Sequence, residues 1–260
     1  ISEQSPPPTF ENTLVPLERS GVLLNRVAAT FFNLSSADTN EALDQIRAEV
    51  APMLASHTDQ ILLNGRLFDR VSSLYEQRET LGLNDESLRL IERHYVDFVR
   101  AGALLSEAEQ QRMQEINGEM AALQTTFTQN VLDGVNAAAI VVDDHDELAG
   151  LPEGQVAAAA AAATSRGLDG KYVIALLNTS GQPPLSALEN RSLRERIMRG
   201  SLARGSEDGE YDNREVITRL AELRAERAVM LGYPNHAAYI LDEQTAQTVT
   251  AVNERLASLV

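Results

Sequence analysis

Apolar side chains recur along most of this sequence at steps of three and four, the period of a helix that turns one face to a core. Phe10, Leu14, Leu17, Gly21, Leu24, Val27, Phe31 and Leu34 form the first stripe. Thr9 is placed to cap it, and Pro16 predicts a kink or a break inside it. Asp38-Thr-Asn-Glu41 reads as the capping box of a second helix, faced by Leu43, Ile46, Val50, Met53 and Leu54, with Pro52 a second kink point. Asn64-Gly65 separates this from a third helix carrying Leu67, Val71 and Leu74. Gly82 and Asn84 precede a fourth, with Leu88, Ile91, Tyr95 and Phe98. Ser106-Glu-Ala-Glu109 is the clearest start signal, because the serine oxygen can accept an orphan backbone N–H while the glutamate reaches back to another. The residues behind it, Met113, Ile116, Met120, Leu123 and Phe127, step almost in heptads, which predicts a long antiparallel partner. Short connections between these five helices predict antiparallel neighbours.

The pattern then changes. Residues 139–143 (AIVVD) and 171–177 (KYVIALL) are short and β-branched, and read as two strands. Between them an alanine-rich helix is framed by Pro152 and Gly167. The pair is compatible with a parallel crossover or with antiparallel pairing. Asn190 precedes another helix. Residues 204–213 (RGSEDGEYDN) are the most linker-like stretch, and Asp212 to Glu215 reads as a capping box before Ile217, Leu220, Leu223 and Leu231. Thr248 starts a last helix with Val249, Val252, Leu256 and Leu259, which reaches Val260 in mid-period without a stop signal. With no initiator Met ahead of ISEQSPPP, this predicts a piece of something longer. The expected fold is mainly α. It divides into a helical bundle over 1–136, short strands and helices over 137–203, and a truncated helical hairpin over 204–260.

Composition narrows the chemistry. Asp and Glu outnumber Lys and Arg by 38 to 22, a formal charge of -16, which argues against a nucleic-acid or anionic-membrane partner. Without cysteine there is no disulfide, thiolate zinc site or cysteine nucleophile. No apolar run suits a membrane span and no leader is visible, so the cytoplasm is expected, with the periplasm open if a leader has been removed. The four histidines, His57, His94, His145 and His236, include no H-E-x-x-H pair, whose spacing would aim two imidazoles from one helix face at one metal. His57 and His94 fall near apolar faces and read as buried or half-buried helix residues. Asp143-Asp144-His145-Asp146-Glu147 fails as a calcium loop, which would need an oxygen ligand at Leu148, a glycine at Ala149 and a glutamate at Gln155. Asp144 capping a short helix, with Glu147 completing a box, fits better. Phosphate-cradling glycine loops and nucleophile elbows are absent. The glycosylation-like triplets at Asn33, Asn178 and Asn190 read as chance matches.

Four segments carry a resemblance: PPPTFENTLVPLERSG (6–21), FFNLSSADTN (31–40), ENRSLRERI (189–197) and LRAERAVMLGYPNHAAY (223–239). In this order they resemble the N-terminal half of the thimet oligopeptidase family of neurolysin-like zinc metallopeptidases, and the bacterial peptidyl-dipeptidases (dipeptidyl carboxypeptidases) in particular. The resemblance implies two lobes around a narrow channel that admits short peptides. It also implies a zinc ion held by H-E-x-x-H and a downstream glutamate in the family's other half. None of those ligands is matched here. No catalytic, cofactor-binding or metal-binding residue is therefore assigned to this chain, which is expected to supply channel wall, to bind no zinc and to be inactive alone. Its expected partners are peptides and the missing catalytic half, with non-native self-association through exposed apolar patches. A helical interaction scaffold with no enzymatic parent is the alternative. Within LGYPNHAAYILDE, Gly232 suits a left-handed helix end and Asn235 a new cap, which makes His236 a neutral, hydrogen-bonded joint residue.

Overall fold

The computed structural model describes every residue except Asn178, Ser180, Glu207 and Val260. The triplet at Asn178, one residue of the linker-like stretch and the last residue of the predicted final helix thus lie outside the described residues. The chain is mainly helical and forms two compact units, residues 1–125 with 219–260, and residues 126–218.

In the first unit, Thr9 caps a single π-helical turn, Phe10–Leu14, through a reciprocal box with Asn12: Asn12 N–H donates to Thr9 Oγ1 (3.1 Å) and Thr9 N–H to Asn12 Oδ1 (2.8 Å). Helix α1 (Val15–Arg19) continues this turn with Pro16 in its first turn, where the missing N–H costs nothing. The predicted single stripe breaks not at Pro16 but at Ser20-Gly21, because Gly21 takes a left-handed conformation (φ 71°) that starts α2 (Val22–Ala37) in a new direction. Helix α3 (Glu41–Leu62) is capped by Asn40 rather than by the predicted Asp38, which instead ends α2. Pro52 sits inside α3 without ending it. Its histidine, His57, is exposed and not buried as expected.

Helices α4 (Gly65–Gln77) and α5 (Asp85–Ala101) begin at the expected separations, where Asn64 and Asn84 prove to be caps whose side chains accept the N–H groups of Leu67 and Ser87. They pack antiparallel: Phe68 stacks on Phe98, and Tyr75 stacks on Tyr95. Leu67, Phe68, Val71 and Phe98 form one buried cluster, and Leu14, Leu74 and Ile91 another. Buried Arg70 ties the N-terminal segment to this core, donating to the Pro6 carbonyl (3.0 Å), Asn12 Oδ1 (2.8 Å) and Thr13 Oγ1 (3.0 Å).

Helix α6 (Glu107–Ala137) begins at the predicted Ser106/Glu109 box. Two charged forks join it to α9 (Arg214–Met230). Arg112 forks onto Glu226 (2.7 and 2.9 Å), and Arg219 forks onto Glu119 (2.6 and 2.9 Å). The two pairs are one heptad apart on both helices in opposite directions, so the contact is antiparallel.

In the second unit the strands β1 (Ile140–Val142) and β2 (Tyr172–Ile174) pair antiparallel, Val141 opposite Val173, which closes the alternative left open by the sequence. Both are shorter than their β-branched runs. Asp144 caps a 3₁₀ turn at His145–Leu148, but Glu147 completes no box and instead reaches Arg196 (3.6 Å). Helix α7 (Glu153–Thr164) lays Ala159 and Ala163 against β2, where small side chains permit close approach. Helix α8 (Arg191–Ala203) starts at Asn190 and supplies Leu193 and Ile197 to a core shared with Val142, Leu148 and Ile174. Asn213, and not Asp212, stands at the start of α9, since its carbonyl accepts the N–H of Ile217.

Candidate functional site

A polar arrangement in the first unit surrounds the turn from α9 to α10 (His236–Leu241). Helix α9 ends in the expected left-handed motif. Tyr233 N–H donates to the Ala228 carbonyl (2.9 Å) and Gly232 N–H to that of Val229 (3.0 Å), with Gly232 at φ 82°. Asn235 Oδ1 then accepts from Ala238 N–H (2.9 Å) and starts α10. The Tyr233 ring meets Tyr239 edge-on, and its hydroxyl donates to Asp242 (2.8 Å). Arg100 of α5 locks this joint. Its guanidinium donates to the Tyr239 carbonyl (2.7 Å), pairs with Asp242 and Glu243 (3.0 Å each), and lies 4.4 Å from the Tyr239 ring centre.

Arg227 of α9 also approaches Tyr239, 5.2 Å from the same ring centre. It donates to Asn117 Oδ1 at 3.5 Å, and Asn117 Nδ2 donates to Asp59 Oδ1 at 2.8 Å. Asp59 is 7% exposed, and burial pushes its carboxyl above the ordinary value, against the opposing pull of Asn117 and Arg227. Two open clefts share this wall. One, of about 580 Å³, lies among Leu17, Ile61, His94, Phe98 and Ile240, and the other, of about 320 Å³, among Asp59, Met113, Asn117 and Gln124.

His236 is not the hydrogen-bonded residue expected of it. Its Nδ1 is buried without a partner, and burial, with Arg227 and Arg224 nearby, lowers its pKa, which favours neutral imidazole. His94 Nε2 lies 2.7 Å from Glu18, and His145 meets Tyr172 edge-on in the other unit. Among the described residues no three His, Asp or Glu side chains come together to hold a metal ion. The two arginines beside His236 also oppose a cation there. The residues present therefore do not fit a zinc centre.

Residues 185–260 match the profile of peptidase family M3. The chain is 40% identical to the dipeptidyl carboxypeptidase of Escherichia coli over 94% of its own length, and 41% identical to that of Salmonella typhimurium over the same share. It is 31% identical to the oligopeptidase A of Haemophilus influenzae over 92% of its length. The chain is thus similar to peptidase family M3 over residues 185–260 and to these peptidases over nearly its whole length. It spans about 36% of the length of each of these relatives. The M3 match takes in α9 and α10, the helices that carry Arg227 and Tyr239, while Asp59, Arg100 and Asn117 lie before it. No helix among the described residues is long and apolar enough to cross a membrane.

Sequence reasoning reached the joint through its caps but missed Asp59, Arg100, Asn117 and Arg227. One signal was available. Asn117 sits beside Met113, Ile116 and Met120 on the seam, and a polar residue in an apolar seam needs a partner.

Proposed function

We infer that this chain is the N-terminal, non-catalytic part of a zinc metallopeptidase that removes dipeptides from the C-termini of short peptides, and that it supplies wall to the channel in which they bind. The observation that carries this is the identity of about 40% to two dipeptidyl carboxypeptidases across nearly the whole chain, of which it spans about a third. The absence of a ligand group among the described residues supports placing the metal outside this chain. The net charge of -16 supports a peptide rather than a polyanionic substrate, and the cytoplasm is the default location. The part played by these residues is to bind, orient and sterically select, since a folded protein does not enter a narrow channel.

The test compares this chain with a longer protein that includes the polypeptide corresponding to the rest of the relatives. Release of dipeptides from a free-acid tetrapeptide is followed by mass spectrometry. The longer protein should release them and lose the activity to a chelator, while this chain alone releases none. Stoichiometric zinc in this chain, or chelator-sensitive release by it, overturns the reading.

A further inference from the structure

The arginines around the joint differ in how their charge is met. Arg100 has Asp242 and Glu243, Arg112 has Glu226, and Arg219 has Glu119. Arg227 has no carboxylate within ion-pair distance among the described residues. Its one side-chain hydrogen bond, to Asn117, is at the long limit of 3.5 Å, and its Nε is buried without an acceptor. A buried guanidinium N–H left unpaired is costly, so it is retained where something else completes it. The group is nevertheless held in place. Tyr239 backs it from one side, and Asn117 fixes one end. It lines both clefts and so stands where they meet.

The surroundings decide which anion fits. Arg100, the other arginine lining both clefts, is already paired with Asp242 and Glu243, and Asp97 and Glu243 of the larger cleft are paired in turn, so Arg227 offers one unmet positive charge, too little for a dianionic phosphate or a polyanion. A single planar carboxylate matches the two-pronged edge of a guanidinium and brings one charge. Leu17, Ile61, Leu62 and Phe98 give the larger cleft an apolar floor for side chains, and its volume of about 580 Å³ lies within the range of small-ligand sites. We propose that Arg227 binds the free α-carboxylate of a short peptide lying in this pair of clefts, with Tyr239 and Asn117 positioning the guanidinium. The proposal rests on the peptide-handling role inferred above.

The test uses this 260-residue chain and three probes: tetra-alanine with a free C-terminus, its C-terminal amide, and the amide with one alanine replaced by glutamate. The ¹⁵N–¹H signal of Arg227 Nε is followed during titration. The free acid should shift it saturably, and the plain amide should not. Arg227→Gln should weaken binding of the acid about tenfold or more, the scale of a lost charged hydrogen bond. Arg227→Lys should recover part of that loss, and Arg224→Gln should leave binding unchanged. Equal binding of acid and amide, preference for the glutamate-bearing amide, or an unmoved Nε signal in the wild-type chain overturns the proposal, whatever the variants do to folding. Loss of melting temperature in Arg227→Gln with unchanged peptide affinity overturns it too. Its failure is separable from that of the peptidase reading. Dipeptide release by the longer protein without binding here removes the Arg227 site alone. Binding here without any release by the longer protein removes the peptidase reading and leaves the site.

Discussion

Helices α4 and α5 and helices α2 and α3 share an apolar helical period, yet they end up in opposite situations. Along α4 and α5, Leu67, Phe68, Val71, Leu74, Ile91 and Phe98 are buried. Along α2 and α3, the buried residues are Ser35 and Asp59, while Val22, Leu23, Val27, Ile46 and Met53 face outward. The difference lies in the width of the apolar face. In α4 the apolar residues fall in one narrow stripe between charged positions, which a single neighbour covers. In α2, Val22, Leu23 and Leu24 are consecutive, and with Val27, Phe31 and Phe32 they spread around much of the circumference. One neighbour cannot cover such a helix. Apolar period alone therefore indicates a helix, while the width of the face indicates how many partners it needs.

The largest expected effect tests that contrast directly. Phe98→Ala empties a fully buried ring site and should cost about 4 kcal/mol in urea unfolding followed by helicity. Leu23→Ala, at a residue 73% exposed, should change stability by no more than about 0.5 kcal/mol. Leu23→Glu should leave the midpoint unchanged while reducing concentration-dependent association of the chain by light scattering, because the charge interrupts an exposed apolar face. A loss on Leu23→Ala comparable to that on Phe98→Ala would mean that α2 is covered within this chain, and the contrast would disappear.

A smaller effect comes from the carboxylate that α3 buries where α4 and α5 bury rings. Burial raises the pKa of Asp59 above its ordinary 3.8, so the folded state holds a proton that the unfolded state releases. Its contribution is therefore most favourable below 3.8 and is lost as pH rises through the raised folded value. Asp59→Asn keeps an oxygen to accept from Asn117 and removes the charge. It should stabilise the chain at pH 7 by on the order of 1 kcal/mol and bring little change at low pH. His236 slopes the other way, because its lowered pKa costs stability as pH falls through 6.5. A destabilised Asp59→Asn at neutral pH would show that the ionised carboxylate is what Arg227 and Asn117 hold, and would weaken the case for Arg227 as an unsatisfied cation.

Helix ends were the most legible features because each cap is a local event. Thr9, Ser106 and Asn235 cap as predicted, Thr248 caps the helix it was expected to start, and Asn64, Asn84 and Asn190 cap at boundaries that were expected without a cap being assigned, each needing only a side-chain oxygen within three residues of an orphan N–H. Where two candidate caps lay close together, the sequence pattern favoured the wrong one. Asn40 displaced Asp38, because Asp38 already ends α2, and Asn213 displaced Asp212, because its carbonyl takes the first helical hydrogen bond. The polar joint was harder to see. Asp59 and Asn117 are 58 positions apart, Arg100 and Tyr239 are 139 apart, and no local period reports that such residues will meet. Only the resemblance reached across that distance, and it pointed to the segment that carries the joint.

The smallest effect compares an aromatic pair from each region. Tyr75 and Tyr95 stack across α4 and α5 with ring centres 3.9 Å apart and planes 4° from parallel. Phe31 and Phe32 meet edge-on at 5.2 Å but are chain neighbours on α2. Only the first contact depends on tertiary structure. A double-mutant cycle with Tyr75→Leu and Tyr95→Leu should give a coupling of about 1 kcal/mol, within the range of aromatic pairs. The same cycle on Phe31 and Phe32 should give a coupling below about 0.3 kcal/mol, because neighbouring rings remain close in the unfolded chain and the contact cancels between states. In the longer protein the α4–α5 coupling should stay the same. If the outward face of α2 is covered there, Phe31→Leu should cost more than it does in this chain, and an unchanged cost would leave α2 a solvent-facing helix in both.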